Sequence, residues 1–382
     1  MIPKQSVLPN HRITDSRHLN PLAPMPWLNL VGHDDVVAQF RNALRQGRLA
    51  STFLFVGLEG IGKRLFAQQL AQSLLCENHD EKLLDPCGAC PACIQVLAGT
   101  HPDFLTVGRP AGKSFIPVGL LKGDEPDYPI HNSLLFNLSL RPFGGRRKVA
   151  VIDDADYLNQ EGANCLLKTF EEPPPSSVLI LISSSAERQL PTIRSRAQLI
   201  RFQPLAEPLV AKLLVEKNIV SSAEEAERLA AFSGGSLTRA AEMADPQLWI
   251  FRTDLLNRLS QSPLPSVSLS QTLLKFVDEA GKEAPPRRAR LRLAIGFTAE
   301  FFRQLMRRLT GLAIMGDAEL SAAVDRAAQT GSWDAESAAE AAQRSLDAMT
   351  HVDRNANQNT LVEAWLDDLL MLSRSLALQR QN

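Results

Sequence analysis

The sequence predicts an α/β fold built on a phosphate-binding loop, with a mainly parallel sheet covered by helices on both faces and all-helical segments after it. Three observations carry this. A glycine loop, Gly57-Leu58-Glu59-Gly60-Ile61-Gly62-Lys63-Arg64, lies between an apolar run (Phe53–Val56) and a helical pattern (Leu65–Leu75). Two further apolar runs, Val149–Ile152 and Val178–Ile182, alternate with helical stretches, as buried strands of a parallel sheet do. Beyond Phe202 the β signals stop, and apolar residues recur at helical spacing.

Taken in order, residues 1–26 are polar and rich in Pro and Asn, and read as a loose N-terminal arm. Leu28 to Arg48 reads as an amphipathic helix, from Val36, Val37, Phe40 and Leu44. The glycine loop and a cysteine-rich loop (76–93) follow. Residues 108–129 read as a surface insertion, with Gly and Pro crowded into 123–129, and Ile130 to Leu140 as a short helix. Asn159 to Glu172 is a helix stopped by Pro173-Pro174-Pro175, and the third apolar run ends in Ser183-Ser184-Ser185. These parts make a nucleotide-binding-like domain over 27–203. Helices near 206–217, 222–232 and 236–244, with Ser222 and Ser236 as N-caps, make a three-helix unit over 204–245. Pro246 opens a last helical region, 246–382, with helices near 247–261, 268–280, 287–314, 317–329, 334–350 and 360–378.

Bulk properties exclude several classes. Hydrophobic residues at 45% and charged residues at 22% are ordinary for a globular protein. The net charge of −1 gives no global attraction to nucleic acid or membrane, so such contacts must be local or made by a partner. No run approaches the roughly 20 apolar residues of a membrane span. Met1 to Gln5 lacks an apolar signal core, so a cytoplasmic location is the expectation.

In the glycine loop, successive N–H groups curl inward and the following helix adds positive potential, so Gly57, Gly60, Gly62 and Lys63 suit a bound phosphate. The eighth position calls for Ser or Thr, whose hydroxyl holds Mg²⁺. Here it is Arg64, which cannot ligate a cation and repels one. Asp153 ends an apolar run where an acid helps order Mg²⁺. Asp154 stands where a hydrolytic site usually has Glu, one methylene longer. The plainer alternative is two acids capping the next helix.

Four of the five cysteines, Cys76, Cys87, Cys90 and Cys93, form C-x10-C-x2-C-x2-C. Four thiolates close a tetrahedral zinc site, which is then structural because no coordination position is left open. Cys165 lies on the apolar face of a helix and reads as core. Ser195-Arg196 closes the nucleotide-type domain. A lone arginine there is ordinarily a solvated charge, but in rings of such domains it can reach a neighbour's γ-phosphate. Seven arginines between Arg287 and Arg308 read first as an exposed face of an amphipathic helix, with DNA or protein contact as the alternative.

Several segments resemble one family. Asn164-Cys165-Leu166-Leu167-Lys168-Thr169-Phe170-Glu171-Glu172-Pro173-Pro174 is similar to the signature N-A-L-L-K-x-x-E-E-P-P of bacterial DNA polymerase III clamp-loader subunits, of the AAA+ class. Leu190-Pro191-Thr192-Ile193-Arg194-Ser195-Arg196 resembles their segment ending in Ser-Arg-Cys, with Ala197 for the Cys, and His101-Pro102-Asp103 and Gly32 also match. The likeness covers about residues 27–245. It implies an AAA+ α/β domain, a three-helix lid and an all-α collar. It also implies partners of the gamma/tau and delta types in a pentameric ring, with the sliding clamp and primer–template DNA reached through the assembly, and no membrane. Within the family, the ATP-hydrolysing motor needs an intact loop. Arg64, Asp154 and Thr238 after Gly235-Ser236-Leu237 resemble instead the branch with a degraded loop, which supplies the Ser195-Arg196 arginine to its neighbour. Because Lys63 and the loop glycines remain, the resemblance leaves open ATP binding without hydrolysis.

Overall fold

The structure is a computed structural model that describes residues 30–110, 113–354 and 356–379. The expected arm at 1–26 and the expected helix start at Leu28 lie outside the described residues. The chain runs through α1 (Asp34–Arg45), β1 (Thr52–Val56), α2 (Lys63–Leu75), α3 (Pro91–Ala98), β2 (Phe104–Val107) and α4 (Val118–Lys122). A two-residue hairpin, β3 (Asp124–Glu125) and β4 (Tyr128–Pro129), leads to α5 (Leu134–Ser139), β5 (Lys148–Ile152) and α6 (Gln160–Glu171). Then come β6 (Ser177–Ser183), α7 (Pro191–Arg194) and β7 (Gln198–Arg201).

The main sheet has the order β2-β5-β6-β1-β7 and is parallel throughout. Leu54 of β1 stands level with Leu181 of β6 on one side and Leu199 of β7 on the other. Every residue of β1, β5 and β6 is buried, so these strands, apolar between their polar end residues, show no in–out alternation. Phe53 and Phe55 face one layer, where Phe40 and Phe66 meet them with ring centroids 4.9 and 5.6 Å away. Leu54 and Val56 face the other, with Leu166 and Phe170 of α6. Two strands escape the sequence reading because they are half-exposed edges: in β7 only Ile200 is buried. The expected insertion at 108–129 also needs correction. It holds α4 and the hairpin, and Ile116 and Leu121 are fully buried in the core.

The remaining elements are helical. They are α8 (Glu207–Glu216), α9 (Ala223–Ser233) and α10 (Leu237–Glu242), then α11 (Pro246–Leu259), α12 (Ser266–Asp278), α13 (Ala284–Leu309), α14 (Ala318–Gln329), α15 (Ala335–Asp353) and α16 (Gln358–Gln379). Ser222 and Ser236 cap α9 and α10, accepting from the N–H groups of Glu225 and Arg239. Asp245 caps α11 with Pro246 at its first turn. α13 is the central helix of this part, packed on α12, α14 and α15 through Leu291, Ile295, Phe301 and Phe302.

Its arginines do not form one exposed face. Arg287 pairs with Asp278 at 2.6 Å, Arg290 with Asp245 at 2.6 Å, Arg308 with Asp325 at 2.6 Å, and Arg292 with Asp353. Arg303 pairs with Glu300 on its own helix, and Arg307 donates to the Ala313 carbonyl. The acids answering most of this run lie on other helices or in loops, out of reach of a reading that considers one helix at a time.

Candidate functional site

The glycine loop folds tightly over the start of α2. Gly57 has φ +151°, and a Cβ there would lie 2.5 Å from the Phe202 carbonyl oxygen. Gly60 has φ +76°, and a Cβ there would lie 2.5 Å from Ser236 Oγ and 2.6 Å from Thr238 Cβ. Only glycine fits such positions. The second closeness is informative, because Ser236 and Thr238 belong to the first turn of α10. The Leu237 N–H donates to the Gly60 carbonyl at 3.1 Å, so the three-helix unit rests directly on the loop. Behind it, His33 Nε2 lies 2.6 Å from the Ile61 carbonyl oxygen. Burial holds the His33 pKa below its ordinary value, so the ring is neutral and donates this bond.

Lys63 is buried, and its ammonium donates to the Gly57 and Leu58 carbonyls at 2.6 Å each. Burial lowers its pKa against the opposing pull of Asp156, Glu59, Asp153 and Asp154. Arg64 Nη1 lies 3.1 Å from Asp153 Oδ2. A guanidinium thus faces the acid that would help hold a cation. The Arg64 side chain is 78% exposed, so the pair itself is weak. The telling feature is the missing hydroxyl.

Asp154 follows in the left-handed region, at φ +55°, and makes no side-chain cap, so the helix-capping alternative fails for it. Burial, then Asp153, raises its carboxyl pKa. Asp156, which the sequence reading passed over, is the better-held acid. Its carboxylate accepts from Ser183 Oγ, from the Ser184 N–H at 2.8 Å and from Gln189 Nε2 at 3.3 Å. It ties the end of β5 to the end of β6. The signal was available in the pairing of Asp-Asp-Ala-Asp with the serines ending the next buried strand.

The four cysteine sulfurs lie within 4.8 Å of one another. Cys76 is the C-cap of α2 and Cys90 the N-cap of α3, and their sulfurs are 4.0 Å apart. Sulfurs at about 2.3 Å from a tetrahedral zinc stand about 3.8 Å from each other. Backbone N–H groups aim at the sulfurs: Cys87 N–H at Cys76, Cys90 N–H at Cys87 and Cys93 N–H at Cys90, over 3.3–3.5 Å. Hydrogen bonds, chiefly from Ala89, bring the Cys87 thiol down to about 6, while burial pushes the Cys93 thiol up. The donor set fits a metal, with Cys76, Cys87, Cys90 and Cys93 as the group able to hold it. Gln72 Nε2 donates to the Cys93 carbonyl at 2.9 Å, and Arg147 pairs with Glu81 at 2.6 Å, so the loop is fastened to α2 and to the start of β5. Cys165 stands apart on α6, half-buried, its Sγ directed at the Gly162 carbonyl.

Ser195 and Arg196 lie between α7 and the edge strand β7. Arg196 is held on four of its donors. Nε and Nη2 both reach Glu171 Oε1, at 3.0 and 2.6 Å, while Nη1 donates to the Thr192 carbonyl and to Ser195 Oγ, at 3.2 Å each. Glu171 is the last residue of α6 and half-exposed.

A parallel sheet in this order, with a glycine loop after β1, an acid after β5 and a helical unit on the loop, defines an AAA+-type P-loop domain. Residues 32–206 match the family described as "DNA polymerase III, delta subunit". Over this segment the chain is similar to subunits of DNA polymerase III. Among its relatives is the DNA polymerase III subunit delta' of Pseudomonas aeruginosa, 36% identical over 196 residues, or 49% of this chain and 53% of that one. The delta' subunit of Bacillus subtilis is 32% identical over 47% of this chain and 50% of its own length. The tau subunit of Escherichia coli is 29% identical over 58% of this chain and 33% of its own. The match thus spans about half the length of the delta' relatives. A solved RuvB of Thermotoga maritima overlaps 80% of this chain and 86% of its own, at 16% identity and a TM-score of 0.38, too loosely to bear on the argument.

Proposed function

We propose that the chain is the delta-prime-type subunit of a DNA polymerase III clamp loader, without ATP turnover of its own. The observation that carries this is Arg64 at the magnesium position, facing Asp153, beside a Lys63 whose ammonium is taken up by its own loop. Phosphoryl transfer needs a metal bridging the phosphates and a lysine on their oxygens; Arg64 cannot hold the first, and Lys63 is engaged by its own loop. In this reading Arg196, steadied by Ser195, is lent in trans to the nucleotide of a gamma/tau-type neighbour, where its charge stabilises the transition state. Delta is the other partner, in a pentameric ring. Residues 27–203 and the lid at 204–245 form the AAA+ tier, and 246–382 the collar. The sliding clamp and primer–template DNA are engaged by the whole assembly. Zinc on the four cysteines fastens α2 to α3 and takes no part in chemistry.

A second reading, an ATP-hydrolysing gamma/tau-type motor, is favoured by the retained Gly57, Gly60, Gly62 and Lys63 and by the match to tau. ATP turnover by the isolated chain separates the two. The delta-prime reading expects none above background. It also expects Arg196→Ala to lower the DNA-stimulated ATPase of a reconstituted loader by about a thousandfold at the affected site. Robust turnover by the isolated chain would move the motor reading to first place.

A further inference from the structure

Arg196 is not free to meet a neighbour. Both nitrogens of one guanidinium edge sit on Glu171 Oε1, and the opposite amino group is held by the Thr192 carbonyl and Ser195 Oγ. Resting on the trans-arginine reading above, we propose that Glu171 is a positioning residue that parks Arg196 against its own domain until the anionic phosphates of a neighbour's nucleotide displace its carboxylate.

Glu171 ends α6, and the triple proline follows shortly after, so its backbone is fixed by the helix stop. Arg196 stands two residues beyond the end of α7, with its backbone N–H bonded to the Ile193 carbonyl. The carboxylate and the guanidinium are thus carried on two anchored points, and the side chains alone have to move. Both are solvated, at 52% and 35% exposure, so the parked state is shallow and screened by salt. A carboxylate brings one negative charge to the guanidinium, whereas a terminal phosphate brings about two and matches the same fork of donors. An approaching triphosphate therefore outcompetes Glu171. A neighbour without nucleotide offers nothing to exchange for it.

Parking has a distinct kinetic signature. It taxes the approach of Arg196 and leaves the working pose untouched, so it weighs on the ATP concentration needed and spares the maximal rate. The test uses the full chain in a loader reconstituted with its ATP-hydrolysing subunits. Glu171→Gln keeps the hydrogen-bond acceptor and removes the charge. It should lower the KM for ATP by about two- to fivefold, the range of an exposed pair, with kcat unchanged. The difference from wild type should shrink as salt rises from 0.05 to about 0.5 M. In the Arg196→Ala background the same exchange should have no effect. For the isolated chain, the Arg196 Nε–H signal in a ¹⁵N spectrum should lose its order in Glu171→Gln. A fall in kcat at constant KM would overturn parking and make Glu171 a support of the working pose. An equal effect with and without Arg196 would show that it acts elsewhere. An Arg196→Ala loader with full ATPase would remove the trans-arginine reading itself, a failure visible before Glu171 is touched.

Discussion

Single residues decide what this site can do. Lys63 and Arg64 were legible from spacing, because a phosphate loop fixes which position must carry a hydroxyl. Other contacts were not: Asp156 is held by Ser183 and Glu171 holds Arg196, residues 27 and 25 positions away that only the folded domain brings near. Arg64→Thr alone should give weak magnesium-dependent binding of a fluorescent ADP analogue and no ATP turnover, since Asp154 stays at φ +55° and Lys63 on its own loop. Turnover in that variant above about a tenth of typical motor rates, of order 1 per second, would contradict the account. Asp103 is a sharper stability test. Its carboxylate is buried against Lys148 at 3.3 Å and accepts from the N–H groups of Phe143 and Gly144 at 2.9 Å each. Asp103→Asn, which strands a buried ammonium, should cost about 3–5 kcal/mol in urea unfolding. Two histidines set an acid limit. Burial lowers the pKa of His33 and of His101, whose Nδ1 accepts from the Asp103 N–H. The unfolded chain therefore takes up protons first as pH falls through about 6.5, and stability present above that pH is lost below it. Urea midpoints at pH 7.5 and 5.5 should show this fall, and His33→Gln should flatten part of it.

At the scale of elements, caps and breakers carried the reading well. Asn159, Ser222, Ser236 and Asp245 all cap where a helix start was expected or nearby, because each satisfies N–H groups the helix leaves unpaired. The buried strands were equally plain. What was lost are elements whose meaning depends on a neighbour: β2 and β7 as sheet edges, α4 under the supposed insertion, and the paired arginines of α13. The cysteine loop is an element of another kind, whose geometry comes from ligand spacing and which, on the zinc reading, draws its stability from the ion. Purified chain should hold one zinc per molecule, released in proportion to loss of the structure between α2 and α3 when a chelator is added. Finding no metal by elemental analysis would refute the four-cysteine centre. The main sheet, with β1, β5 and β6 wholly buried, should survive chelation and keep its far-ultraviolet signal.

The parts of the molecule share one apolar cluster, and a few polar contacts pin them further. Arg252 of α11 is 3% exposed and pairs with Asp317 at 2.6 Å and Glu319 at 2.8 Å, while Phe232, Trp249 and Phe297 surround its guanidinium within 5.6 Å. It joins the three-helix unit to the last helical region. Arg252→Met should cost about 2–3 kcal/mol, since the two half-exposed acids can rehydrate, and should loosen amide-exchange protection in α9 and α14 together. The order of parts was legible from the switch in periodicity after Phe202. Their mutual seating was not, because it is made partly by side chains distant in sequence and partly by backbone. The bond from the Leu237 N–H to the Gly60 carbonyl shows what that implies for descent. Short of proline at 237, no exchange of a side chain removes a bond between two main chains. On the delta-prime reading, a lineage regaining ATP turnover would need both a hydroxyl at 64 and a longer base in relaxed backbone at 154, since the first alone restores binding and not hydrolysis. On that reading, selection for turnover would meet level ground around this sequence, with no single exchange to reward.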